Sequence, residues 1–165
     1  MIRVRIVSLF ACLLCTDCSV VTDVFLKMRI SNRVLQMLLR YPWNSALHQA
    51  CVVFFRACFQ SKKSMVWRRV IQEDGFVELV TQAVWNAENT RHSETLNYVG
   101  YSGSMIQMCQ ILQTIEEENQ ELHDVLLKQS CWSAFKGTLE EMKKRQNAFV
   151  HVVESCVCCE RYCML

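Results

Sequence analysis

Residues 43–58 read Trp43-Asn44-Ser45-Ala46-Leu47-His48-Gln49-Ala50-Cys51-Val52-Val53-Phe54-Phe55-Arg56-Ala57-Cys58, and this stretch decides the fold. Leu47, Ala50, Cys51, Phe54, Ala57 and Cys58 recur at spacings of three and four, which places them on one stripe of an α-helix. Val52, Val53 and Phe55 carry the apolar surface around much of the girth. A helix of that kind belongs at the centre of a fold, covered on more than one side. Pro42 biases Tyr41 out of the α region and closes the helix before it. Asn44 can cap the helix that follows, and Trp43 is placed to cover the end of a core.

Upstream, Ser31 reads as an N-cap, with Val34, Leu35, Leu38 and Leu39 at helical spacing behind it. Downstream, the polar run Gln60 to Ser64 ends the central helix. A third segment spans Met65 to Ile71, and Asp74-Gly75 breaks the chain. Phe76, Leu79, Val80, Ala83 and Val84 then share one helical face. Residues 86–103 are polar, with Asn97, Gly100 and Gly103 close together, and read as an exposed loop. Ser104 reads as the cap of a helix with the stripe Met105, Met108, Cys109, Leu112 and Ile115, followed by Glu116-Glu117-Glu118 as a solvated run. Leu122, Val125 and Leu126 continue or restart the helix. A last helix from Ser130 carries Trp132, Phe135, Leu139 and Met142.

Six or seven amphipathic helices, each with a stripe it cannot bury alone, imply an all-α fold. The expectation is an irregular stack of short antiparallel helices, an armadillo- or HEAT-like solenoid fragment without a fixed repeat period. Composition agrees. Of 165 residues, 52% are hydrophobic, with one Pro and four Gly. That is too few breakers for the many turns of a β-rich fold. The chain divides into an apolar, leader-like or divergent segment 1–29, a helical region 30–150 and a cysteine-rich tail 151–165. In 1–29 periodicity does not separate helix from strand.

The formal net charge of +2 makes neither nucleic acid nor an anionic membrane a default partner. No apolar run has the ~18 residues of a membrane span. The basic runs Lys62-Lys63, Arg68-Arg69 beside Trp67, and Lys143-Lys144-Arg145 read as solvated helix faces rather than a nucleic-acid groove. Eleven cysteines in a Leu-, Val-, Phe- and Met-rich chain read as reduced thiols used as small core hydrophobes. The alternative is a secreted or membrane-associated cysteine-rich protein, prompted by Arg3 and Arg5 ahead of the apolar run Ile6 to Leu14, which lacks a small-residue cleavage site.

Cys12, Cys15 and Cys18 have the spacing of an iron–sulfur motif but no Cys-Pro follows, and all three fall on one helical face. Cys156, Cys158, Cys159 and Cys163, with His151 nearby, lack the paired spacings that wrap a zinc ion. His48, His92, His123 and His151 are scattered. His123 with Asp124, and Glu94 near His92, have the look of exposed pairs with no nucleophile beside them. No nucleophile elbow, phosphate loop or zinc-protease motif occurs. The sequence therefore offers no catalytic, metal or cofactor residue, and the chain reads as a non-enzyme.

Four blocks carry a resemblance. Tyr41-Pro42-Trp43-Asn44-Ser45-Ala46-Leu47-His48, entered from Leu38-Leu39-Arg40, resembles a segment of the SAPS family, the phosphatase-associated proteins that include regulatory subunits of protein phosphatase 6. Phe76 to Asn89, with Leu79, Trp85 and Glu88, is similar to the helix that follows. Gly100-Tyr101-Ser102-Gly103 resembles the family's Gly-Tyr-Met-Gly turn, and Trp132-x-x-Phe135 its closing helix. The blocks stand in the family's order over residues 34–147, and match the last part of the family's longer helical region. Ser45 replaces a second Asn, and Tyr98-Val99 replace basic residues. The resemblance implies a scaffold that binds and modulates a serine/threonine protein phosphatase catalytic subunit of the protein phosphatase 6 type. It implies a cytoplasmic place of work, with the nucleus as a second. Tyr41, Trp43, Asn44, Leu47, His48, Gly100, Tyr101, Gly103, Trp132 and Phe135 carry the family pattern, and their own chemistry is that of scaffold residues.

Overall fold

A computed structural model describes residues 1–91, 100–142 and 144. Among these residues the regular structure is entirely helical. The helices are α1 (Ile2–Leu14), α2 (Ser19–Lys27), α3 (Ile30–Arg40), α4 (Ser45–Phe59), α5 (Ser64–Arg68, continued by a wider π turn over Arg69–Glu73), α6 (Phe76–Arg91), α7 (Ser102–Glu118), α8 (Gln120–Leu127) and α9 (130–142).

The segment that periodicity left open is thus two helices. Val7, Ala11 and Leu14 of α1 are buried at spacings of four and three, and α1 packs along α4. Asp17 and Arg29, both with φ near +50°, turn the chain into α2 and α3. A non-glycine residue in that region costs roughly 1–2 kcal/mol, so packing on either side must hold both turns.

The central helix is where the sequence placed it. α4 packs against α1, α3, α5 and α7. Leu47, Cys51, Phe54, Phe55, Cys58 and Phe59 are all buried. Phe55 meets Phe54 edge-on at 5.1 Å and Phe76 of α6 at 4.8 Å, while Phe59 meets Phe76 edge-on at 5.1 Å. Each fully buried phenyl ring contributes about 1.5–3 kcal/mol of hydrophobic stabilisation, and tilted or edge-on pairs add to it. α7 is the second hub, packed on α4, α6 and α8.

Four local expectations are overturned. Ser31 does not cap α3, which starts one residue earlier; its hydroxyl donates instead to the buried carboxylate of Asp74. Residues 86–103 are not one loop, since α6 runs to Arg91 and α7 begins at Ser102. Ser104 lies inside α7, whose N-cap position is Tyr101 with no side-chain cap bond. Glu116 is not solvated: it is 4% exposed. The cysteine-rich tail, His92, Glu94, His151 and the loop residue Asn97 lie outside the described residues.

Candidate functional site

The junction between α3 and α4 gathers most of the family-pattern residues. The Asn44 side chain accepts the Leu47 amide at 3.0 Å, so one of the amides orphaned at the start of α4 is satisfied. Leu47 is fully buried. His48 is buried too, and its Nε2–H donates to the Tyr41 carbonyl at 2.8 Å. That bond ties the end of α3 to the first turn of α4 and fixes the tautomer of the ring. A buried imidazole held this way is a clasp between the two helices. The Arg3 guanidinium lies 4.4 Å above the Tyr41 ring, a cation–π contact that brings the start of α1 to the same junction.

Gly100 closes the junction from the other side. A Cβ there would stand 2.3 Å from the Pro42 carbonyl oxygen and 3.1 Å from the Trp43 ring. The Tyr41-Pro42-Trp43 turn and the Gly100-Tyr101 turn are therefore in direct contact, although some sixty positions separate them in sequence. Tyr101 is partly buried against the core. Gly103 touches nothing with its missing Cβ and sits in the first turn of α7; of the two glycines, Gly100 is the one that makes a close approach. Trp43 does not cover the core end: it is 77% exposed. Its indole stands on the outside of the junction, beside Gly100.

Trp132 and Phe135 belong to a different place, at the far end of α7. Both are buried, with ring centroids 6.4 Å apart. Trp132 Nε1–H donates to Glu116 Oε2 at 2.9 Å. The other oxygen of Glu116 accepts from Lys136 Nζ at 2.6 Å and faces His123 Nδ1 at 3.0 Å. One buried carboxylate thus joins α7, α8 and α9. The sequence reading missed it by treating three consecutive glutamates alike. Yet Glu116 follows Leu112 by four residues, so the same stripe that buries Leu112 carries Glu116 inward. His123, read as an exposed partner of Asp124, serves this cluster instead.

Asp74 is the second missed residue. It accepts from Ser31 with Oδ2, and its Oδ1 lies 3.9 Å from Arg69 Nε. Arg69 also pairs with Glu73 at 2.6 Å. Ser31 sits three positions before Val34 and four before Leu35, on the buried face of α3, which is the signal that its hydroxyl points inward.

The cleft between α6 and α9, about 410 Å³, is lined by Glu78, Thr81, Gln82, Trp85, Cys131 and Phe135 among others. Cys51, Cys58 and Cys109 are buried, and burial pushes the Cys51 thiol up to about 12 and raises the Cys58 and Cys109 thiols as well. Cys12, Cys15 and Cys18 are exposed. Backbone amides of Val21 and Val20 lower the Cys18 thiol below its ordinary value. Among the described residues no group of three or more His, Cys, Asp or Glu is placed to hold a metal ion. Nor is any described helix long and apolar enough to cross a membrane.

The family model described as SAPS, SIT4 phosphatase-associated protein, matches residues 3–148. The chain belongs to the SAPS family. The match takes in α1 and α2 as well as the four blocks between Val34 and Asn147, in keeping with the packing of α1 on α4. No curated protein and no solved structure matches the chain. As a SAPS chain, the protein has a phosphatase-associated, regulatory role.

Proposed function

We propose that this SAPS protein binds a serine/threonine protein phosphatase catalytic subunit, of the protein phosphatase 6 type, and modulates it as a non-enzymatic scaffold. The observation that carries the reading is family membership over residues 3–148. The arrangement of side chains supports it. The polar groups of the family-pattern residues are spent on holding helices together: His48 on the Tyr41 carbonyl, Asn44 on α4, Trp132 on Glu116. Rigid helix pairs with fixed turns present a shaped surface, which is what selective recognition of a folded partner needs. The helices stack as a fragment of an armadillo- or HEAT-like solenoid in this reading, and the place of work is the cytoplasm, with the nucleus as a second.

Affinity capture tests it. A tagged copy of the full chain, shown to be helical by circular dichroism, is mixed with purified protein phosphatase 6 catalytic subunit. Retention of the subunit, with a changed rate on a phosphopeptide substrate, is the expected result. A folded chain that retains no phosphatase catalytic subunit overturns the proposal.

A further inference from the structure

Between Asp23 and Glu73 the chain carries nine Lys and Arg side chains and not one Asp or Glu. The helix in the middle of this stretch, α3, separates its residues by face. Ser31, Val34, Leu35 and Leu38 are buried, while Arg33, Gln36 and Arg40 are exposed. Positions 33, 36 and 40 follow one another by three and four, so the exposed trio forms a single ridge. Arg29 extends the ridge at one end. At the other stand Arg3 over the Tyr41 ring and the bare indole of Trp43.

Of the six basic groups elsewhere in the stretch, Lys27 and Arg56 are exposed on α2 and α4, and the other four are engaged. Lys62 faces Asp17, Lys63 donates to Thr22, Arg68 pairs with Glu121, and Arg69 with Glu73. Arg29, Arg33 and Arg40 meet no carboxylate among the described residues. A row of uncompensated guanidinium groups on one helix face is unfavourable for the isolated helix. It raises the local positive potential and favours a partner of opposite sign.

We propose that the outer ridge of α3, Arg29, Arg33 and Arg40 with Trp43 at its end, docks an acidic polypeptide segment of a partner protein. Arginine offers the planar fork that grips carboxylates in pairs, and an exposed Trp on a rigid turn supplies the aromatic anchor that concentrates binding energy at interfaces. The eleven residues of α3 span roughly 16 Å, the length of about five residues of extended chain. A nucleic acid fits the same charge less well. Its long, uniform backbone calls for a longer run of cations than this ridge of three arginines and a glutamine. A second copy of this chain fits less well too: of its residues between Glu116 and Asp124, Glu116 is buried, Glu121 is paired, and the exposed Glu117 and Glu118 lie in the last turn of helix α7 and not on an extended segment. The proposal stands apart from the phosphatase reading, since it names the chemistry of the docked segment and not the protein that bears it.

Fluorescence anisotropy on the full chain tests it. The probe is a fluorescein-labelled peptide rich in Asp and Glu with one aromatic residue, compared with its Asn/Gln counterpart. The acidic probe binds and the amide probe does not. Arg33→Glu weakens binding by about tenfold or more, whereas Lys128→Glu, the same charge change at the end of α8, leaves it within about twofold. Trp43→Ala weakens it as well. Arg33 and Trp43 are exposed, so the variants keep the wild-type circular dichroism and melting temperature; Arg40→Gln is a milder second variant should Arg33→Glu misfold. Equal losses from Arg33→Glu and Lys128→Glu overturn the proposal, because net charge alone then explains binding. So does tighter binding of a single-stranded oligonucleotide or of phosphatidylserine vesicles at the same salt. So does concentration-dependent self-association, seen by sedimentation, that Arg33→Glu abolishes.

Discussion

The backbone of Gly100 is packed so closely on Pro42 that a methyl group in place of its hydrogen would stand 2.3 Å from the Pro42 carbonyl oxygen. Gly100 and Gly103 look equivalent in the sequence, yet only the first is needed for space. Gly100→Ala forces one of the two turns to move and destabilises the fold by about 1–3 kcal/mol, as overpacking does. Gly103→Ala adds a methyl in open space inside the first turn of α7 and stabilises by about 0.5–1 kcal/mol. Urea unfolding of the two variants checks the opposite signs.

Trp132→Phe keeps an aromatic ring in place but removes the donor to Glu116 Oε2, which no other donor reaches among the described residues. Leaving a buried carboxylate oxygen unpaired costs about 1–3 kcal/mol. Glu116→Ala costs more, because Lys136 and His123 then lose their acceptor as well. Thermal melts of both variants against wild type measure the order Glu116→Ala below Trp132→Phe below wild type.

Ser31→Ala takes away the only hydrogen-bond donor among the described residues to the carboxylate of Asp74, whose side chain is 1% exposed. The expected loss is about 1–3 kcal/mol. Ser31→Ala combined with Asp74→Ala recovers part of it, since the buried charge is then gone as well. A double-mutant cycle in urea reports the coupling.

Thiol chemistry separates the cysteines by environment. In the native chain Cys12, Cys15 and Cys18 react with iodoacetamide, while Cys51, Cys58 and Cys109 react only on unfolding. Cys18 ionises at a lower pH than the ordinary thiol value near 9, because the amides of Val21 and Val20 favour its thiolate. For Cys51 the sign runs the other way. Its folded thiol titrates at about 12 against about 9 unfolded, so its contribution to stability is intact below pH 9 and is lost as pH rises from 9 towards 12. Peptide mapping after pulse alkylation, and urea melts of Cys51→Ala against wild type from pH 8 to alkaline pH, check both.

The legible parts were those set by short-range pattern. The stripe through Leu47, Cys51, Phe54 and Cys58 specified α4 and its central place, because a helix apolar around its girth has nowhere else to go. Asn44 as a cap and Asp74-Gly75 as a break were readable from residue type, and Gly75 takes the positive φ that such a break needs. The turn glycines and Trp-x-x-Phe were readable as family pattern without being readable as contacts.

What the sequence by itself determined is the helical class, most helix positions and the family, since these depend on periodicity and on order along the chain. Only the tertiary structure decided which polar groups go inside. Glu116 is a surface glutamate by type and a buried acceptor by position, because Trp132, Lys136 and His123 arrive from other helices to replace its water. Trp43 is the converse, an aromatic left on the outside of the junction, beside Gly100. Burial is decided by what neighbours leave room for and can hydrogen-bond, and those neighbours lie far away in the chain.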